Sequence, residues 1–351
     1  MTPDMRPAGT GPAGLADLER VRGFLGSVIT EQGAHVGPLH AELLAGGRSN
    51  LTYLVTDGIS RWVLRRPPLG VLTPSAHDMA REYRVVSALY GRVPVPRPVA
   101  LCEDPDVIGV PFAVTGYVAG LTLSTQKDLA SYPPARLREC GFRLIDVLAA
   151  LHAVPYREVG LGDFGRWEGY LGRQVRRWMD QWRRVATREL PDLELLHRRL
   201  ADTVPRESGG SIVHGDFRID NVLIDPADLG QVRAIVDWEM ATVGDPLADL
   251  GLTLVYRDPV FGPVLAGGAA STSALFPPWE ELAERYARSS GRDLAALDFY
   301  LALGYFKIAV IAEGIHDRYL RAMTVGDGFA TVGQAVEPLV AAGLRVLGGT
   351  A

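Results

Sequence analysis

The chain is 351 residues long, enough for two lobes with cores of their own or for one large domain. Its formal charge of -5 argues against a general nucleic-acid binder, which needs concentrated positive charge. Cys102 and Cys140 have neither a CxxC partner nor a histidine cluster beside them. That argues against a zinc module or a disulfide framework and suits a cytoplasmic location.

Residues 1–14 are rich in Pro and Gly and lack the apolar core of a signal peptide, so they read as a disordered tail. Residues 15–29 have the spacing of a short amphipathic helix. Strands follow at 41–44, 51–56 and 61–65. The last two form a hairpin, because β-branched and aromatic residues flank the turn pair Asp57-Gly58. Residues 75–90 read as a helix with Met79, Tyr83, Val86 and Leu89 on one face. Beyond a Pro-rich passage at 93–99, two more strands are expected at 99–102 and 112–118.

From Pro133 onward helices dominate, at 134–152, 170–185, 279–289 and 294–319. One insertion breaks them: residues 211–238 hold a loop and two short apolar strands, at 222–224 and 234–236. The apolar stretch 300–315 is too short to span a bilayer and carries Lys307 and Glu313, so it reads as a buried helix, with no membrane partner. A strand-rich first third, a helical remainder and an inserted loop-hairpin make an α+β protein of two lobes.

The chemistry concentrates in the insertion, in IVHGDFRIDNVLID (residues 212–225) and AIVDWE (residues 234–239). Phosphoryl transfer asks a protein for a carboxylate to orient the attacking hydroxyl and for hard ligands to hold Mg²⁺ on the phosphates. Asp216, Asn221 and Asp237 repeat the order found in protein kinases: base, metal-ligand Asn, metal-ligand Asp. Each alone reads as a turn residue. The ordered set, each member beside an apolar strand, does not.

These segments resemble the aminoglycoside phosphotransferase-like family, which includes choline and homoserine kinases. The matching text is His214-Gly-Asp216-Phe-Arg-Ile-Asp-Asn221, Val236-Asp237-Trp-Glu and Gly244-Asp-Pro-Leu-Ala-Asp249-Leu. Similarity runs from about residue 43 to residue 254, and more weakly to the C-terminus. The resemblance implies a protein-kinase-like, two-lobed fold with a small β-rich N-lobe and a larger helical C-lobe. It implies ATP and Mg²⁺, with Asp216 as catalytic base, Asn221 and Asp237 as metal ligands, and Asp249 supporting the loop. Arg218 stands where protein kinases carry a Lys near the γ-phosphate, a place where many family members have His.

By the same resemblance, residues 15–115 form the nucleotide lobe, 116–120 the hinge and 121–351 the catalytic and substrate lobe. Gly46-Gly-Arg-Ser49-Asn50 looks like the phosphate-covering loop, though a plain hairpin turn would show the same glycines. Arg65 replaces the usual phosphate-binding Lys and keeps a permanent charge with bidentate geometry. Glu82 is its expected ion-pair partner, and alternation sends Arg66 to the opposite face. Two solvated strand-end arginines are the competing reading. Adenine would bond to the backbone of Gly116 and Val118. His152 reads as structural.

Residues 166–188 carry Trp178 and Trp182 on one helix face amid Arg173, Arg176, Arg177, Arg183 and Arg184. Charge complementarity then favours an anionic or phosphate-bearing acceptor over a polycationic aminoglycoside. A solvated helix with its Trp residues in the core would look the same. The segment also resembles the kinase-like domains fused to acyl-CoA dehydrogenases, which implies a hydroxy-acid or hydroxyacyl-CoA acceptor. Two further readings stand beside this one: an aminoglycoside- or choline-type kinase, and a pseudokinase-like nucleotide-binding module, for which Arg65 is the argument. Oligomeric state has no signature in the sequence.

Overall fold

The computed structural model describes residues 12–15, 17–30, 36–45, 50–69, 78–264, 269–324 and 328–348. The chain divides into two compact units, Met1–Ala119 and Gly120–Ala351.

The first unit is built on a five-stranded antiparallel sheet. Its strands are β1 (His40–Ala45), β2 (Leu51–Thr56), β3 (Arg61–Arg66), β4 (Pro98–Cys102) and β5 (Phe112–Gly116), in spatial order β1-β2-β3-β5-β4. The β2–β3 turn is held by Asp57, whose carboxylate accepts the amides of Ile59 (3.0 Å) and Ser60 (2.6 Å). Thr52 then pairs with Arg65 and Tyr53 with Leu64. Period-two alternation buries Tyr53, Val55, Trp62 and Leu64 against Leu18, Val21 and Leu25 of α1 (Leu18–Thr30). The unit is completed by α2 (Met79–Leu89), capped by the Asp78 side chain on the amide of Arg81, and by the short α3 (Pro105–Ile108). Residues 71–77 lie outside the described residues, so the expected helix at 75–90 is described from its cap onward.

Helices make up most of the second unit. They are α4 (Gln126–Leu129), α5 (Pro134–Ala153), α6 (Tyr170–Val185), α7 (Pro191–Asp202), α8 (Pro246–Val255), α9 (Trp279–Ser290), α10 (Leu297–Leu320) and α11 (Val336–Gly348). Between α7 and α8 lie two antiparallel pairs of short strands. β6 (Ser211–Val213) pairs with β9 (Thr242–Gly244), and β7 (Val222–Ile224) pairs with β8 (Val232–Ile235). The β6–β9 pair and helices α3, α4, α7, α8 and α11 have no counterpart among the elements expected from the sequence.

α10 corrects one expectation. Counted over 300–315 it is too short to cross a bilayer, but the helix runs for 24 residues and by length and composition could cross one. Yet 78% of its most apolar window is buried inside the protein, so it serves as a core helix here. It packs against α8 at backbone distance: a Cβ on Gly251 would lie 2.6 Å from the Tyr300 carbonyl. That close approach brings Lys307 up to the loop after β6.

Candidate active site

The loop after β6 begins with His214 and Gly215. Gly215 has φ +82°, and a Cβ there would lie 2.7 Å from the Met240 carbonyl, so glycine is required on both counts. Asp249, fully enclosed on α8, accepts the amides of His214 (2.7 Å) and Gly215 (2.9 Å). Its third partner is His152, whose Nε2 lies 3.2 Å away while Nδ1 meets the Tyr286 hydroxyl at 2.7 Å. Burial pushes the Asp249 carboxyl up, but the bonds from His152 and the loop amides outweigh this and leave it below its ordinary value. The GDPLAD segment is thereby explained. Asp245 caps α8 on the Leu247 amide at 2.9 Å, and Asp249, four residues on, anchors the loop.

Asp216 is the focus of that loop. Asn221 donates its side-chain amide both to the Asp216 carbonyl (2.8 Å) and to Oδ2 (3.0 Å), and Arg218 approaches Oδ2 at 3.4 Å. Tyr256 donates its hydroxyl to Oδ1. Tyr256, the C-cap of α8, completes a stripe along that helix: Asp249 holds loop amides, Thr253 donates to the Phe217 carbonyl at 3.0 Å, and Tyr256 holds the carboxylate itself. Burial, then the nearby Asp216 charge, raises the Tyr256 phenol well above its ordinary value, so it remains a donor. Burial opposes the charge on Arg218, but Asp216 and Asp220 more than offset this and keep the guanidinium protonated. Its tighter bond is to Asp220, at 2.8 Å.

Asn221 and Asp237 come together at one end of the β7–β8 hairpin, where the Val236 amide donates to the Asn221 carbonyl at 2.9 Å. Asp237 adopts φ 67°, ψ 62°, a left-handed conformation that costs a non-glycine residue about 1 kcal/mol or more. Because the Asn221 amide N–H is committed to Asp216, its Oδ1 is left as a hard donor without a protein partner among the described residues. One carboxylate and one amide oxygen suit a small hard cation that takes its other ligands from phosphate and water.

In the first unit, Arg65 Nε lies 3.2 Å from Glu82 Oε1, with both side chains mostly covered. Arg66 points to the other face of β3, is buried, and donates to the carbonyls of Gly14 and Pro67. The reading of two solvated arginines is therefore overturned. Asn50 is buried at the start of β2, whereas Ser49 lies outside the described residues. The amide of Gly116 donates to the Arg97 carbonyl at 2.8 Å. Gly116 and Val118 line a recess of the same unit.

A model of the phosphotransferase enzyme family matches residues 40–300. The chain belongs to this family. Among curated relatives, it is 32% identical to human acyl-CoA dehydrogenase family member 11, covering 97% of this chain and 45% of that protein. It is 36% identical to the chicken protein of that name, covering 88% of this chain and 40% of that one. The chain thus spans less than half the length of these relatives. A crystal structure from Ralstonia eutropha, provisionally named an aminoglycoside phosphotransferase, aligns at TM-score 0.81 and 31% identity, covering 95% of this chain and 98% of that one. The aminoglycoside phosphotransferase APH(4)-Ia with AMP-PNP and hygromycin B shares the fold alone, at TM-score 0.60 and 19% identity, covering 92% of this chain and 98% of that one. The chain is accordingly a phosphotransferase with the two-lobed, kinase-like architecture.

Two parts of the site escaped sequence reading. Tyr256 had no signal apart from its α8 spacing, seven residues beyond Asp249. Lys307, one of only two lysines in the chain, reads from sequence as a polar residue in an apolar helix, and it donates to the Gly215 carbonyl at 2.7 Å.

Proposed function

We propose that the chain transfers the γ-phosphoryl group of ATP, with Mg²⁺, to the hydroxyl of an anionic small molecule, a hydroxy acid or its acyl-CoA derivative. The observation that carries this reading is the Asp216 carboxylate, fixed by Tyr256 and Asn221 beside the hairpin end that holds Asp237. Asp216 orients the acceptor hydroxyl and takes its proton as the oxygen attacks. Arg218, held charged by Asp216 and Asp220, offsets charge building on the transferring group. Asn221 and Asp237 would hold Mg²⁺, which when bound neutralises phosphate charge.

In the first unit, Arg65, steadied by Glu82, supplies the permanent phosphate-binding charge. Asn50 would face the phosphates, and adenine would take backbone groups of Gly116 and Val118. Two buried free cysteines suit a cytoplasmic setting. The acyl-CoA dehydrogenase names of the curated relatives support an acyl-type acceptor, and the exposed arginines of α6 disfavour a polycation. ADP release measured across hydroxy acids, hydroxyacyl-CoA esters, choline and kanamycin tests this. Release with the acids or esters is expected. Turnover confined to kanamycin or choline would overturn the acceptor class.

A further inference from the structure

Behind the catalytic loop, within the second unit, lies a cavity walled by Tyr170, Gln174 and Trp178 of α6, Gly215 of the loop, Asp249 of α8 and Lys307 of α10. Its polar groups are unbalanced. The Lys307 ammonium donates to the Gly215 carbonyl and sits 5.5 Å from the centre of the Trp178 ring, with no ion-pair partner among the described residues. Gln174 accepts the Trp178 indole N–H at 3.2 Å, which assigns its oxygen to that bond and leaves its NH₂ as a donor. The Tyr170 hydroxyl has no hydrogen-bond partner among the described residues. Asp249, the one carboxylate in this wall, already has both oxygens engaged by the loop amides and His152.

Three donors therefore share a cavity whose acceptors are already engaged by other partners. The cavity volume is about 30 Å³. One water needs roughly 10–15 Å³ on that measure, so a carboxylate-sized group fits. Burial draws the Lys307 ammonium down to about 8, against the pull of Asp216 and Asp249 and with the help of Arg177, so it is mostly charged at neutral pH.

Resting on the phosphotransferase reading above, we propose that Lys307, Gln174 and Tyr170 form an anion recess that binds the acceptor's acid group. Lys307 bonds to the residue immediately before Asp216, so the recess adjoins the loop that carries the base. The recess thus selects hydroxy compounds by a carboxylate near the hydroxyl. It also gives α6 a role on its inner face, separate from the exposed arginines.

Saturation-transfer NMR of the full chain with millimolar butyrate, and with butanamide as its neutral twin, tests this without requiring turnover. Butyrate should give a signal and butanamide should not. Lys307→Met should weaken butyrate binding roughly tenfold or more, the loss expected for a charge-assisted hydrogen bond. Gln174→Leu should weaken it less and guards against a misfolded Lys307 variant, and Asp216→Asn should not weaken it. No butyrate signal from the folded wild-type chain, or equal signals with both probes or in both variants, would overturn the proposal. If transfer still depends on Asp216 in that case, the phosphotransferase reading stands and the recess alone falls.

Discussion

Asp216 is held by Tyr256 from 40 residues away, and the loop amides before it by Asp249 from 35 and 34 residues away. On α6, by contrast, Arg183 pairs with Asp180 and Arg184 with Gln181, each three residues off, on the exposed face. Long-range bonds into a half-buried carboxylate fix a side chain for chemistry, because each partner is itself immobilised by the core. Neighbouring surface pairs fix little, being worth about 0.2–1 kcal/mol and screened by salt. The loop is built for position, while the outer face of α6 contributes only diffuse charge.

Substitutions can break that contrast at graded strengths. Asp237→Ala should have the largest effect, lowering transfer by a factor on the order of 10³ and weakening Mg·ATP binding. Chelator-insensitive nucleotide binding by both proteins would contradict the metal assignment. Asp249→Asn should come next, costing about 1–3 kcal/mol of stability by leaving loop donors poorly matched. Because the folded Asp249 carboxyl lies below its ordinary 3.8, its contribution is present above that pH and fades as pH falls through the lower folded value. Denaturant melts from pH 6 downward should therefore show a smaller acid loss in Asp249→Asn than in the wild type.

Tyr256→Phe should reduce turnover roughly fivefold, the effect of one hydrogen bond of about 1 kcal/mol, with ATP affinity unchanged. An unaltered rate would mean that Asp216 is positioned by Asn221 and the loop alone. The smallest effect is expected from Arg176, Arg177 and Arg183 all changed to Glu. The KM of an anionic acceptor should rise a few-fold at low salt, and the difference should shrink near 0.15 M, where screening acts over roughly 8 Å. A large, salt-insensitive rise would place these arginines in direct contact with the acceptor.

Asp216, Asn221 and Asp237 were legible because their spacing in the chain is their spacing in one loop and one hairpin. The Arg65–Glu82 pair was legible because strand alternation and helix position limit where each side chain can go. Tyr256 and Lys307 were not. Their contacts depend on how α8 and α10 pack, which turns on the absence of a side chain at Gly251 rather than on any local motif. α8 was hidden for a related reason: its GDPLAD opening reads as loop text until Asp245 is seen capping the helix. The α6 arginines show the converse limit, since composition reveals charge without revealing which face is covered.

The most direct test pairs turnover with calorimetric Mg·ATP binding for Asp216→Asn. If Asp216 is the base that orients the acceptor hydroxyl, turnover should fall by a factor on the order of 10² or more while ATP affinity stays within a few-fold. Turnover retained near the wild-type rate, or lost only in step with nucleotide affinity, would contradict that account.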